Sequence, residues 1–371
     1  MLSVLHVIAR MPPSGTELQL AGMLRAAQGE LWEPTLCVLY PGFPLTAELA
    51  ADGIRVVELD GRNPLKVDRF TQLRRLVSSG RWDVMHSSLW GGSAFARAAS
   101  IAAGDIAVVM SERRVEEFRR RPQRVLDAAL RARTQEYIGN SAAVVDFIAE
   151  FHGAPRERIH LIRNGIDPEV FRPLQPRPPL VGADGVRRSV VIGGLGRLVH
   201  QKGFDVLLRA LPAVLAVHDV EVVIAGEGEL RAELEAAAAG LPVRLPGAVK
   251  GARAVADHLR GLDLFVMPSR YEGLPNALLE AQACGVPAVA CAGAGIAEAV
   301  GPDVPLVPVE DPAALAAALI AAIDDLQAAS PRTPPPVQSF RDVAAAHLAV
   351  FESAVVRRRG RLPSTAVPAP S

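Results

Sequence analysis

Short apolar runs alternate along this chain with longer segments whose apolar positions fall at helical spacing. In the first half, residues 4–8, 35–39, 56–59, 84–86, 108–111 and 137–140 predict strands. Helical spacing begins near Thr16 and recurs over 70–77 and 93–102. Strands taking turns with helices in this way predict a parallel, doubly wound α/β sheet. The pattern breaks at RPLQPRPPLVGADGVRR, where four prolines and two glycines leave few apolar side chains. A second alternating set follows, with strands over 190–194, 220–225, 243–245, 262–267 and 288–290 and helices over 204–217 and 230–239. Another proline-rich break precedes a last helical stretch. The expected organisation is a domain over 1–172, a linker over 173–188 and a second domain over 189–336. A helix over 337–357 and a disordered tail over 358–371 complete it. Two doubly wound domains would face each other across a cleft, with ligands held at the carboxyl ends of the strands.

Composition narrows the class. A chain of 371 residues has room for two domains. Half of it is hydrophobic and 22% is charged, an ordinary globular composition. A formal net charge of zero argues against a general nucleic-acid binder. Lysine occurs only at 66, 202 and 250, against 37 arginines, so a lysine inside a motif stands out. Cys37, Cys284 and Cys291 form neither an even framework nor a CxxC pair, which points away from disulfides and zinc. The opening LSVLHVIAR reads as a first strand rather than a signal peptide. No apolar run reaches the ~18 residues that span a bilayer. A cytoplasmic location without stable membrane insertion is therefore expected, which still leaves room for peripheral contact.

The most informative segment is PSRYEGLPNALLEAQACGVPAVA, from Pro268 to Ala290. Glu272 and Glu280 stand eight positions apart around the turn Gly273-Leu274-Pro275. Pro275 suits the first turn of a helix, and Gly285 and Pro287 end it. Asn276 and Glu280, four apart, then share one helical face, with Glu280 two turns inside the helix. A helix N-terminus flanked by two carboxylates fits a phosphorylated, hydroxyl-rich ligand. Upstream, the loop GRLVHQKG places Arg197 and Lys202 where both can reach one diphosphate, with Asp205 positioned to cap the following helix.

The two-glutamate segment resembles the Glu-x7-Glu signature of retaining glycosyltransferases of the family-4 type, which have the GT-B fold of two Rossmann-like domains. That resemblance spans nearly the whole chain and implies that Glu280 holds the ribose hydroxyls of a nucleotide-sugar while Glu272 lies beside the donor sugar. Arg197 and Lys202 match the family's basic pair on the donor diphosphate. Gly226-Glu227-Gly228-Glu229 matches a loop near the base, and Val249 an element that receives it. Pro13-Ser14-Gly15-Thr16-Glu17 is similar to the family's Gly-Gly-x-Glu loop, with Ser14 at the first glycine; the Gly15 amide would meet a phosphate. His86 keeps the first position of a frequent His-x-His pair, and Ser88 takes the second. Glu112 and Arg113 fill a position where many members carry a histidine near the reacting centre, which implies a different acceptor. In the same family the C-terminal helix crosses back onto the first domain. The arginine-rich stretch 113–133 reads first as a solvated helix face answered by Glu116, Glu117 and Asp127, and second as a membrane-surface or phosphate-acceptor patch.

These assignments make Glu272, Arg197 and Lys202 the catalytic candidates. Gly15, Val249, Gly273, Leu274, Asn276 and Glu280 join them in donor binding, and His86, Glu112 and Arg113 are the acceptor-side candidates. No Asp-x-Asp occurs, so no metal or other cofactor is expected, and the cations would stabilise the leaving diphosphate. The expected reaction is retaining transfer from a nucleotide-sugar, with UDP-sugars first in line, to a hydroxyl of a small polar acceptor. MPPSGTELQLAGMLRAA and VVMSERRVEEFRR look similar to enzymes of aminoglycoside pathways, which suggests an antibiotic intermediate as acceptor. Synthesis of a cell-envelope polysaccharide or glycolipid is the close alternative. A nucleotide-sugar epimerase and a sugar-nucleotide-binding regulator are the alternatives of other classes.

Overall fold

The computed structural model describes residues 1–61, 67–80, 82–102, 104–115, 121–174, 179–181, 188–300, 304–327 and 337–360. They form two compact units, Met1–Gly165 with Gln338–Ser371, and Ile166–Val337. The division falls at Gly165/Ile166, so residues 166–172 belong to the second unit rather than the first. Most of the expected linker, 175–178 and 182–187, lies outside the described residues, as does the tail from 361 onward.

The first unit runs β1 (Leu2–Ile8), α1 (Gly15–Ala27), β2 (Trp32–Val38), α2 (Pro44–Ala51), β3 (Arg55–Glu58), α3 (Val67–Ser79), β4 (Val84–Ser88), α4 (Leu89–Ala99), β5 (Ala107–Glu112), α5 (Arg121–Leu130), β6 (Glu136–Gly139), α6 (Ala142–Phe151) and β7 (Ile159–Leu161). Its seven strands are all parallel in the order β3-β2-β1-β4-β5-β6-β7. The strands are apolar on both faces because helices cover both. Val4, Ile8, Leu36 and Val84 enter a core with Leu20, Met23 and Leu24 of α1. Their neighbours Leu5, Val7, Met85 and Val108 point the other way, onto Leu73 and Val77 of α3 and Ala96 and Ala99 of α4.

The second unit runs β8 (Val190–Leu195), α7 (Phe204–Leu215), β9 (Val220–Ala225), α8 (Arg231–Ala237), β10 (Val243–Gly247), α9 (Ala252–Arg260), β11 (Leu264–Met267), α10 (Asn276–Ala283), β12 (Ala288–Cys291), β13 (Leu306–Val307) and α11 (Pro312–Gln327). Six parallel strands take the order β10-β9-β8-β11-β12-β13. Val190, Ile192, Val222 and Val266 pack under α7 and α11, while Phe265, Met267, Ala288 and Ala290 pack under α9 and α10. In each sheet the strand order reverses once, between β1 and β4 and between β8 and β11. A crevice at the carboxyl end of such a reversal is where open α/β sheets hold ligands.

The last helix, α12 (Phe340–Arg358), belongs to the first unit. Ser339 and Asp342 close a reciprocal capping box at its start. Val343, Ala344, Val350, Phe351 and Ala354 are buried in the core shared with α1. Among the described residues no helix is long and apolar enough to cross a membrane.

Candidate active site

In the second unit the reversal point is lined by the loops that leave β8 and β11. The β8 loop is tied to its neighbour by backbone hydrogen bonds from Leu198 N to Glu227 O at 2.9 Å and from Gly196 N to Ala225 O at 3.0 Å. It ends at Gly203, which caps α7 with φ +64°. A Cβ there would overlap the Pro268 carbonyl, so glycine is required where the two loops touch. Asp205 does not cap this helix. It lies in the first turn and binds the Arg270 guanidinium at 2.8 and 2.9 Å, while Arg270 also holds Glu310 and the His200 carbonyl. Burial would raise the Asp205 carboxyl, but the hydrogen bonds and charge of Arg270 outweigh it and hold it below the usual range. Arg270 thereby staples the β8 and β11 loops together.

That staple brings the sequence-predicted residues into one constellation. Lys202 Nζ lies 2.5 Å from Glu272 Oε1, both largely buried, with side chains 15% and 10% exposed. Gln201 Nε2 donates to the Tyr271 carbonyl at 2.9 Å and reaches Glu272 Oε2 at 3.5 Å. The exposed Arg197 donates to Gln201 Oε1 at 3.3 Å. Glu272 N donates to Ala294 O at 2.8 Å, so the loop after β12 backs the carboxylate. The lysine charge is thus answered by Glu272, and an incoming diphosphate would share or displace that partner.

Helix α10 starts one residue later than its proline suggests. Pro275 is the extended N-cap, and no side chain caps the first turn. Gly285, at φ +72°, ends the helix as its sequence implies. Glu280 is therefore little more than one turn inside, rather than two. Its half-buried carboxyl is pushed up to about 7 by burial. It takes no hydrogen bond or ion pair from the described residues. Once ionised the group only accepts, and in that position it suits hydroxyl donors from a ligand. Gly273 and Asn276 are half-buried beside it and Leu274 is buried. Val249 follows β10, half-buried, next to a lacing bond from Gly226 N to Gly247 O at 2.8 Å.

The first unit's candidates separate. Gly15 is exposed as the first residue of α1. Ser14 Oγ donates to Glu17 Oε2 at 2.5 Å and leaves the helix start without a side-chain cap. His86 is wholly buried, contrary to an acceptor-facing role. Its ring bonds His6 Nδ1 at 2.9 Å and Ser111 Oγ at 2.7 Å, and Trp32 Nε1 donates to His6 at 3.1 Å. Burial first, then repulsion between its charged form and those of His6, His347 and Arg113, holds His86 well below its usual value. Glu112 is likewise buried, 3.3 Å from His152 Nε2, in a network that contains Asp127 and Arg97. Asp127 is thus a buried partner rather than part of a solvated face. Glu116 and Glu117, named with it, lie outside the described residues. Arg113 is also buried, 2.8 Å from Asn164 Oδ1.

Gln201 and Arg270 were missed in the sequence. Gln201 had a signal, since it sits inside GRLVHQKG four positions from Arg197. Arg270 had none, because its partners Asp205 and Glu310 are far off in the chain. Among the described residues no group of three or more His, Cys, Asp or Glu side chains is placed to hold a metal ion.

Comparison with known proteins gives a match for each half. The family model described as Glycosyltransferase Family 4 matches residues 13–170, and Glycosyl transferases group 1 matches 189–325. The chain is similar to a D-inositol 3-phosphate glycosyltransferase of Xylanimonas cellulosilytica, 30% identical over 307 residues, covering 77% of this chain and 70% of the relative. It is also similar to D-inositol 3-phosphate glycosyltransferase 1 of Catenulispora acidiphila, at 28% identity with 86% of each chain covered. Among solved structures, Anabaena HepE in complex with UDP superimposes with a TM-score of 0.75 at 18% identity, covering 97% of this chain and 98% of that one. The shared fold is GT-B.

Proposed function

From the chain's membership of the group 1 and family 4 glycosyltransferases, we propose that it moves a sugar from a nucleotide-sugar to an acceptor hydroxyl with retention of anomeric configuration. One observation carries this reading: the Arg197–Gln201–Glu272–Lys202 constellation stands at the strand reversal of the second sheet, with the unpartnered Glu280 carboxyl on the helix that follows. Glu280 accepts the ribose hydroxyls. The first turn of α10, Lys202 and Arg197 meet the diphosphate and offset the charge that builds as it leaves. Glu272 lies beside the donor sugar and orients Lys202. No metal enters this scheme.

UDP-sugars lead the donor panel, because the Anabaena neighbour was solved with UDP. GDP-sugars stand second. For the acceptor, two relatives named for inositol 3-phosphate favour a polyol or envelope glycolipid over an aminoglycoside intermediate. The test is a mass-spectrometric transfer assay crossing UDP-, GDP- and dTDP-sugars with inositol-type, lipid-linked and aminocyclitol acceptors, in excess EDTA. A product heavier by one sugar supports the reading. An epimerised nucleotide-sugar, or binding without turnover, would replace it. A single-turnover rate that collapses in EDTA and returns with Mg²⁺ or Mn²⁺ would overturn the metal-free scheme.

A further inference from the structure

The carboxyl ends of β5, β6 and β7 carry a polar cluster that the donor site does not use. Arg113 follows β5, Asn140 follows β6 and Asn164 follows β7. They are 6%, 2% and 6% exposed. Arg113 Nη1 donates to Asn164 Oδ1 at 2.8 Å, and Asn140 Nδ2 lies 3.4 Å from both Asn164 Oδ1 and the Arg113 carbonyl. Gln19 of α1 grips the adjacent Gly165 through two bonds of 2.8 Å, one to its carbonyl and one from its amide. The loop that carries Asn164 is therefore held in place.

Two valences in this cluster stay open. Asn140 Oδ1 is buried without a hydrogen-bond partner. The Arg113 guanidinium meets no carboxylate among the described residues; its one hydrogen-bond partner is a neutral amide. A buried guanidinium with no counter-ion is costly, and its fork of five donors is far from satisfied by one amide oxygen. Elsewhere the same unit provides for such groups: Arg97 has Asp127, and Arg357 has Glu136. The nearby histidines make up nothing, since burial and the Arg113 charge keep His347 neutral, at about 3. A positive charge and an unused acceptor at the carboxyl edge of a parallel sheet describe half of a binding site.

We propose that Arg113 and Asn140 bind an oxyanion, a carboxylate or phosphate, on a hydroxylated substrate. The guanidinium takes two anion oxygens side by side, and Asn140 Oδ1 accepts from a neighbouring hydroxyl. Calling the ligand a substrate rests on the glycosyltransferase reading; the anion site itself does not. The charge has two sources, a uronic acid in the donor or an anionic group on the acceptor.

The test uses the full chain with saturating nucleoside diphosphate, so that the diphosphate site is filled. Inorganic phosphate and glucuronate are titrated against glucose as the neutral control, following thermal midpoint and calorimetry. Wild type should bind at least one of the two anions. Arg113→Gln should weaken that binding at least tenfold, and Arg113→Lys should retain part of it. Should Arg113→Gln fail to fold, Asn140→Asp serves: it places a carboxylate beside Arg113, relieves the buried charge and should abolish anion binding in a folded protein. Transfer assays then separate the sources. A tenfold loss in kcat/KM confined to a UDP-uronate supports the donor, and one confined to a phosphorylated polyol supports the acceptor. Anion binding that is absent, or unchanged in both variants, overturns the site. Binding that depends on Arg113 in a protein that transfers no sugar leaves the site standing and removes the glycosyltransferase reading instead.

Discussion

Glu280 carries a carboxyl that burial lifts to about 7, and no donor among the described residues holds its charge. For an acid shifted upward, the charged form is the one the fold disfavours. A ligand that donates hydroxyls reverses that preference, so nucleoside diphosphate binding should release a proton. Affinity is then fully present above pH 7 and falls by up to about tenfold per pH unit below it. Glu280→Gln should bind more weakly at pH 8 by about 1.5–3 kcal/mol and lose this part of the pH dependence. The nucleotide's own phosphate titration is common to both proteins and cancels in their ratio. Calorimetric profiles that run parallel would remove Glu280 from the ribose role. The two cations should differ in a way the sequence did not distinguish. Arg197→Ala and Lys202→Ala should each lower turnover by about two orders of magnitude. Arg197 is exposed, so its loss should leave the thermal midpoint unchanged. Lys202→Ala strands the largely buried Glu272 and should cost about 1–3 kcal/mol of stability. Equal midpoints for the two variants would mean that the Lys202–Glu272 contact does not hold the loops.

At the scale of elements, the strands that carry the donor site were legible because a parallel sheet covered on both faces writes its strands as uninterrupted apolar runs. Several elements were not. Helix α11 reads PAALAAALIAAIDDLQ, where alanine blurs the helical period, and β13 is two residues long. Nor does periodicity tell which helix will cover a strand. His86 and Glu112 were assigned to the acceptor side by their places in the family pattern, yet α12 covers the first and His152 the second. The buried network joining α4, α5, β5 and the end of α6 gives a pH signature. Burial opposes a charge on His152, but Asp127 and Glu112 outweigh it and raise its pKa. Its stabilisation is therefore fully present below the unfolded value of about 6.5 and is lost as pH rises through the raised one. Urea midpoints should fall over that range in wild type and stay flatter in His152→Asn. Arg97→Met removes a fully buried cation from Asp127 and should cost about 3–5 kcal/mol. A cost below 1 kcal/mol would show that Arg97 only fills space.

For the whole molecule, the proline-rich break announced two domains, and the family resemblance, rather than the break, implied that the last helix crosses back onto the first. Helix α12 follows the entire second unit in sequence and completes the first unit's core. Phe351 is fully buried there, 5.2 Å from the Trp32 ring and 5.4 Å from the His86 ring. Its neighbour His347 faces His86, and burial together with the Arg113 charge keeps it neutral. Among the described residues each unit has hydrophobic cores of its own. Two perturbations should therefore act separately. Phe351→Ala removes a ring from a packed core and should cost the first unit about 3–5 kcal/mol. A nucleoside diphosphate should raise only the second unit's midpoint, by an amount set by its concentration relative to Kd. Scanning calorimetry of wild type and Phe351→Ala, each with and without UDP, separates the cases. Two transitions are expected, the lower moved by the mutation and the other by the ligand. A single transition that answers to both would mean that the units unfold as one cooperative block. In that event, damage at the last helix would reach the donor site, and UDP affinity would fall in Phe351→Ala as well.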